Sequence, residues 1–108
     1  MSITKSDIVI RNFFLGFIRL HILHHSLVEP IFGLDMIREL ATHGYSLSPG
    51  TLYPILHGLE RGGFLKSEKQ IVHGKARKYY HVTRSGQAAV IEALFRVHEL
   101  MDEIDIKS

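Results

Sequence analysis

The stretch SPGTLYPILHGLERGGFLKSE, Ser48 to Glu68, followed closely by GKARKYYHVTRSG, Gly74 to Gly86, decides the fold. Ser48 suits an N-cap, and Pro49 suits the first helical position, where a missing N–H loses no intrahelical bond. Leu52, Ile55, Leu56 and Leu59 recur at helical spacing and form one buried stripe. Gly50, Thr51, Tyr53, His57 and Arg61 are left on or near the outer face. Gly62-Gly63 ends the helix. Pro54 lacks a hydrogen-bond donor and conflicts with a regular interior, so a local kink or a late regular start is expected there.

Phe64-Leu65 opens a strand, and Lys69 to Val72 and Arg77 to Val82 read as a two-stranded hairpin with its tip near His73-Gly74-Lys75. Alternation puts Tyr80 and Val82 on one face of the return strand and Arg77, Tyr79 and His81 on the other. An isolated ribbon is marginal, so Leu65, Tyr80 and Val82 are expected to lean on a helical core. The tip then exposes Lys75, Arg77 and Lys78. A merely solvated helix face favours Lys and Glu, whereas this one offers hydroxyls and glycine, which allow close approach to phosphates and base edges. A polar-faced helix running into a basic hairpin is the arrangement with which a winged helix grips duplex DNA.

Three further helices complete the pattern. Ser6 can cap a first helix that carries Asp7 in its first turn and continues to about His25. Its Ile10, Phe13, Phe14, Phe17, Ile18, Leu20, Ile22 and Leu23 spread around the circumference, which calls for cover on more than one side. In a chain of 108 residues a second subunit is the expected second cover. Ser26 to Pro30 breaks this helix, and Pro30 suits the first turn of the next, in which Phe32, Met36, Ile37 and Leu40 recur until Gly44. That helix, a short turn and the Ser48 helix match helix-turn-helix geometry. Thr83 can cap the last helix, where Val90, Leu94, Val97, Met101 and Ile104 make a heptad seam.

Charge is divided unevenly. The segment from Ser48 to Arg84 carries seven basic residues against Glu60 and Glu68, a balance of +5, so the rest of the chain sums to −3 within a net charge of +2. One face is thus suited to phosphates. The absence of cysteine excludes a disulfide scaffold, thiolate metal sites and cysteine catalysis, and fits a reducing cytoplasm. MSITKSD does not read as a signal peptide, and Ile8 to Leu23 is too interrupted by polar residues to span a membrane. No nucleophile elbow, phosphate-binding glycine loop or paired carboxylate motif points to an enzyme, and no cofactor is expected. Among eight histidines, His21 and His25 share one helical face, but only Glu29 stands near them as a carboxylate. Structural sites usually need three or four protein ligands, so these histidines read as surface or interface groups rather than metal ligands.

These residues together resemble the PadR-like family of transcriptional regulators. The likeness covers about Ile18 to Ala88 and rests on LSPGTLYPILHGLERGGFL (Leu47 to Leu65), RKYYHVTRSG (Arg77 to Gly86) and FGLDMIREL (Phe32 to Leu40). It implies a mainly α fold with a small β-hairpin: a winged helix-turn-helix over residues 1–86, with its N-terminal helix, and a C-terminal dimerisation helix over 87–108. It implies a homodimeric repressor binding operator DNA. Carried over by position, Ser48, Pro49, Gly50, Thr51 and Tyr53 fall in the recognition helix and Lys75, Arg77, Lys78 and Tyr80 in the wing, with His57 beside them. The dimer interface is expected at Phe13, Phe17, Val90, Leu94, Val97, Met101 and Ile104. The single last helix resembles the short subgroup, whose members often sense small aromatic or cationic compounds between subunits. Without tryptophan no paired-indole slot can form, so Phe13, Phe17, Phe95 and Val97 are the candidates for an apolar inducer pocket. Two alternatives stand beside this reading: a metal-responsive repressor using His21, His24 or His25, and a winged helix used for protein contact.

Overall fold

A computed structural model describes residues 5–105, with side chains from residue 8 onward. The chain order is α1 (Lys5–Val28), β1 (Ile31–Phe32), α2 (Gly33–Thr42), α3 (Pro49–Arg61), β2 (Leu65–Val72), β3 (Lys75–Val82) and α4 (Arg84–Asp105). The capping expected of Ser6 and the Asp7 side chain lie outside the described side chains. Helix α1 runs one turn beyond the expected end at His25, to Val28, where the Glu29 N–H donates to the His25 carbonyl, and the Ser26 hydroxyl folds back to donate to the Leu23 carbonyl, 2.7 Å away.

The first departure from the sequence reading is β1. Ile31 and Phe32 were expected to lie at the start of a helix, but both are extended, and α2 begins at Gly33. Ile31 pairs with Tyr80 and Phe32 with Tyr79, so the hairpin is part of a three-stranded antiparallel sheet in the order β1-β3-β2. Two residues carry no readable period, and only the edge offered by β3 makes them a strand. The hairpin is also longer than expected. Leu65 pairs with Val82 and Val72 with Lys75 across a two-residue turn at His73-Gly74. Both turn residues have positive φ, 51° and 77°, the geometry whose twist matches that of the flanking strands.

Helix ends follow the punctuation in the sequence. Gly44, at φ 89°, lets the Tyr45 N–H turn back to the Leu40 carbonyl. Gly63, at φ 83°, does the same for the Phe64 N–H and the Leu59 carbonyl. Thr83 caps α4 as expected: its hydroxyl accepts from the Gly86 N–H at 3.0 Å and donates to the Gly63 carbonyl. Helix α3 is continuous from Pro49 through Pro54, without the late start that proline suggested.

The core gathers Ile18, Ile22 and Leu23 of α1, Ile31 of β1, Met36 and Leu40 of α2, the four-residue stripe of α3, Leu65, Tyr80 and Val90. Gly86 allows α4 to cross the sheet closely, since an added β-carbon would collide with the Phe64 carbonyl oxygen and lie 2.7 Å from Val82 Cγ2. Beyond Val90, α4 leaves the core. The radius of gyration is 15.8 Å with extents of 56 × 37 × 25 Å, against about 13 Å for a compact chain of about 100 residues.

Candidate nucleic-acid interface

Ser48 to Thr51 stand exposed at the start of α3. The Ser48 hydroxyl makes no capping bond to a backbone amide; it lies 3.3 Å from the Thr51 hydroxyl instead. The amino end of α3 therefore keeps its positive dipole end and two paired hydroxyls toward solvent, a disposition suited to a phosphate oxygen. Thr51 turns toward α1, beside a hollow lined by Ile10, Arg11 and Phe14, rather than toward the hairpin.

Tyr53 is half-buried and faces the other way. Its ring covers Gly33 and lies 6.4 Å from the exposed His57 ring one turn along α3. A groove of about 400 Å³ opens beside it, lined by Phe32, Leu34, Tyr53, Lys75, Ala76, Arg77 and Lys78. Three of the four expected wing residues and one recognition-helix residue thus share a single concave surface. Phe32 supplies its floor, a part the sequence pattern assigns to helical packing. The Arg77 guanidinium stacks over the Phe32 ring at 5.0 Å, and that ring in turn lies 5.7 Å from Tyr79. Stacking orients the guanidinium by its face and leaves its N–H edge available for an anion.

The hairpin cations are not equivalent. Lys75 is exposed at the tip. Lys78 lies on the opposite face of β3 from Arg77, with its Nζ 3.9 Å from Glu60 Oε1. Glu60 is itself fixed by Ser67, whose N–H and hydroxyl donate to Oε2 at 2.9 and 2.6 Å. Those two bonds, aided by Lys78 and His57, outweigh desolvation and hold the Glu60 carboxyl below its ordinary pKa. Tyr80 corrects the expected wing set. Strand alternation turns its ring inward, 1% exposed, where it packs in the core and cannot meet a duplex.

The expected dimer residues divide similarly. Val90 is 1% exposed and spent within its own chain. Leu94, Val97, Met101 and Ile104 continue the seam into solvent, flanked by Ile91 and Leu100. On α1, Phe13 is 55% exposed beside Phe14 and Phe17. Of the residues expected to form an inducer pocket, Phe17 lines a cavity of about 240 Å³ with Leu20, His21, His24 and Leu94. Phe13, Phe95 and Val97 are not part of that lining, and Phe95 lies under the Arg96 guanidinium on the outer surface. Burial first, then the neighbouring His43, His25 and His24, hold the His21 imidazole below its ordinary pKa, against the pull of Glu39.

No helix among the described residues is long and apolar enough to cross a membrane. The family model described as the transcriptional regulator PadR-like family matches residues 20–92. The chain is 46% identical over 94 residues to the transcriptional regulator Rv3488 of Mycobacterium tuberculosis, covering 87% of this chain and 88% of that protein. A PadR-like transcription factor from Bacteroides fragilis superposes with a TM-score of 0.81 at 27% identity, covering 94% of this chain and all of the other (100%). A PadR family regulator from Eggerthella lenta superposes with a TM-score of 0.65 at 32% identity, covering 92% and 91%.

Proposed function

Since the chain belongs to the PadR-like family of transcriptional regulators, and so to DNA-binding regulators rather than enzymes, we propose that it acts as a homodimeric repressor that reads its operator with α3 and grips it with the β2–β3 wing. The observation that carries this reading is the groove joining Tyr53 to Lys75 and Arg77. Base-edge reading needs small and polar groups on an exposed helix, while backbone gripping needs cations at a fixed offset. In this reading the amino end of α3 enters the major groove and the wing tip lies along the phosphates.

The second subunit is called for by apolar exposure. Phe13 and Phe14 on α1 and Leu94, Val97, Met101 and Ile104 on α4 face solvent in a single chain, which soluble monomers rarely tolerate over a large area. A dimer through these helices would present two recognition helices about 34–36 Å apart for half-sites one duplex turn apart. A small apolar or aromatic inducer would enter at the Phe17–Leu94 cavity, at the junction of the two helices that set this spacing.

Genomic fragments captured by the purified chain, sequenced and then titrated by fluorescence anisotropy, test the proposal. A palindromic operator bound by two chains, with preference over random duplex lost in Gly50→Ala or Thr51→Ala, is the expected result. No binding of duplex DNA at moderate salt would favour the reading as a protein-contact module.

A further inference from the structure

Away from the DNA-facing groove, a cluster of imidazoles forms where α1 meets the carboxy end of α2. His21 and His25 project one turn apart from α1, their rings stacked with centroids 6.2 Å apart. His43 follows the last turn of α2, placed by the reversal at Gly44, and its ring centroid lies 4.7 Å from His21 and 6.1 Å from His25. One ligand nitrogen from each of these three histidines lies within 4.8 Å of the other two. Glu39, one turn before His43 on α2, brings its Oε1 to 3.4 Å from His25 Nε2 and to 3.4 Å from His43 Nε2.

We propose that His21, His25 and His43, joined by the Glu39 carboxylate, form a binding site for a divalent transition-metal ion of the zinc class. The alternative is an ordinary ion-pair network, and the distances argue against it. A charge-assisted N–H···O bond is about 2.7–2.9 Å long, so 3.4 Å is a poor hydrogen bond on both sides of Glu39. Two ligands held at about 2.0–2.1 Å from one tetrahedral ion, however, stand about 3.3 Å from each other. Glu39 already has that separation from two imidazoles, and modest side-chain rotation brings the histidine nitrogens in from 4.8 Å. The second observation is His25 Nε2 itself, which is closed off from solvent and has no hydrogen-bond partner among the described residues. A buried polar atom without a partner is destabilising, and an ion at this point would satisfy it.

The donor set selects the class of ion. Three imidazoles and one carboxylate suit zinc, cobalt or nickel, whereas calcium and magnesium require mainly oxygen ligands. The set also differs from the histidines that the sequence brought forward. His24 lies on the exposed side of α1, and the carboxylate is Glu39 rather than Glu29. An ion here would tie the long helix α1 to the first helix of the helix-turn-helix. That consequence rests on the DNA-binding reading, but the site itself does not.

The test uses the full chain without a polyhistidine tag, titrated with Co²⁺ and followed by its visible d–d absorption, with Zn²⁺ as competitor. One Co²⁺ per chain, displaced by Zn²⁺, is expected, with the absorption of a four-coordinate site. His43→Gln and Glu39→Gln should each weaken binding by at least about tenfold, while His24→Gln and His73→Gln bind as the parent does. Circular dichroism and the metal-free melting temperature show that each variant is folded. The absence of saturable Co²⁺ binding, unaltered affinity in His43→Gln, or an equal loss in His24→Gln would each overturn the assignment. None of these readouts involves DNA, so failure of the metal site and failure of the operator reading are separately visible.

Discussion

The hydroxyl end of the Tyr53 ring lies against Gly33, so close that a β-carbon at position 33 would stand 2.8 Å from both the ring edge and the hydroxyl. Glycine at the start of α2 therefore sets where α3 carries its largest outer side chain. The atoms that would clash belong to the far end of a side chain with two rotatable bonds, so the ring can swing away. Gly33→Ala is accordingly expected to change stability by no more than about 1 kcal/mol, since alanine also favours the helix. Operator preference over random duplex should fall clearly. Urea denaturation and anisotropy titrations measure the two effects; a variant with full operator preference would show that the position of Tyr53 is unimportant for reading.

Tyr80 offers a contrasting case on the wing strand. Its ring fills the core while its hydroxyl is buried with no hydrogen-bond partner among the described residues. Removing an unsatisfied buried hydroxyl without changing ring shape relieves a penalty of about 1–3 kcal/mol. Tyr80→Phe should therefore leave the melting temperature unchanged or raise it, and bind DNA like the parent. A drop in DNA affinity in a stable Tyr80→Phe would restore that hydroxyl to the interface.

Wing cations should separate by their partners. Lys75→Ala is expected to reduce affinity for operator and random duplex alike, and to lower the salt slope by about 0.9 for each phosphate no longer neutralised. Arg77→Lys should also weaken binding, because an ammonium cannot reproduce the guanidinium face stacked on Phe32. Lys78→Ala should cost less than either, since its charge is shared with Glu60. Affinity measured from low to moderate salt orders the three.

Glu60 ties the end of α3 to the start of the wing through Ser67. Its folded-state pKa is depressed from the ordinary 4.5. This contribution to stability is therefore fully present above that value and is lost as pH falls through the lower folded-state value. Glu60→Gln should destabilise by about 1 kcal/mol at neutral pH, an amount that allows for screening of a partly exposed group. The difference from the parent should shrink below pH 4.5. Urea midpoints across acidic pH check the sign; a gap that widens on acidification would contradict it.

Val97 and Met101 are exposed on the outer part of α4. Val97→Glu combined with Met101→Glu should leave the core from Ile18 to Val90 intact while placing four like charges across a two-fold interface. A folded monomer is expected by analytical ultracentrifugation, with operator affinity much reduced because two linked half-sites no longer act together. A persistent dimer would place the interface away from this seam.

Much of this molecule was legible in local sequence. Proline at the first position of α3, the glycines that close α2 and α3, Thr83 at the head of α4 and a glycine turn near His73-Gly74 each act within a few residues. Backbone sterics and capping chemistry therefore determine them wherever the chain goes. The alternation that turns Tyr80 inward is local too, and it already contradicted placing that ring at the DNA surface. Tertiary structure decided the rest. Ile31 and Phe32 are too few to show a period, and they form a strand only because β3 presents an open edge to them. Phe32 becomes the floor of the wing groove through the same pairing, which brings it under Arg77. His43 and Glu39 meet His21 and His25 only because α2 packs back along α1. No spacing rule joins side chains on separate helices, because their approach is set by the shape of the core between them.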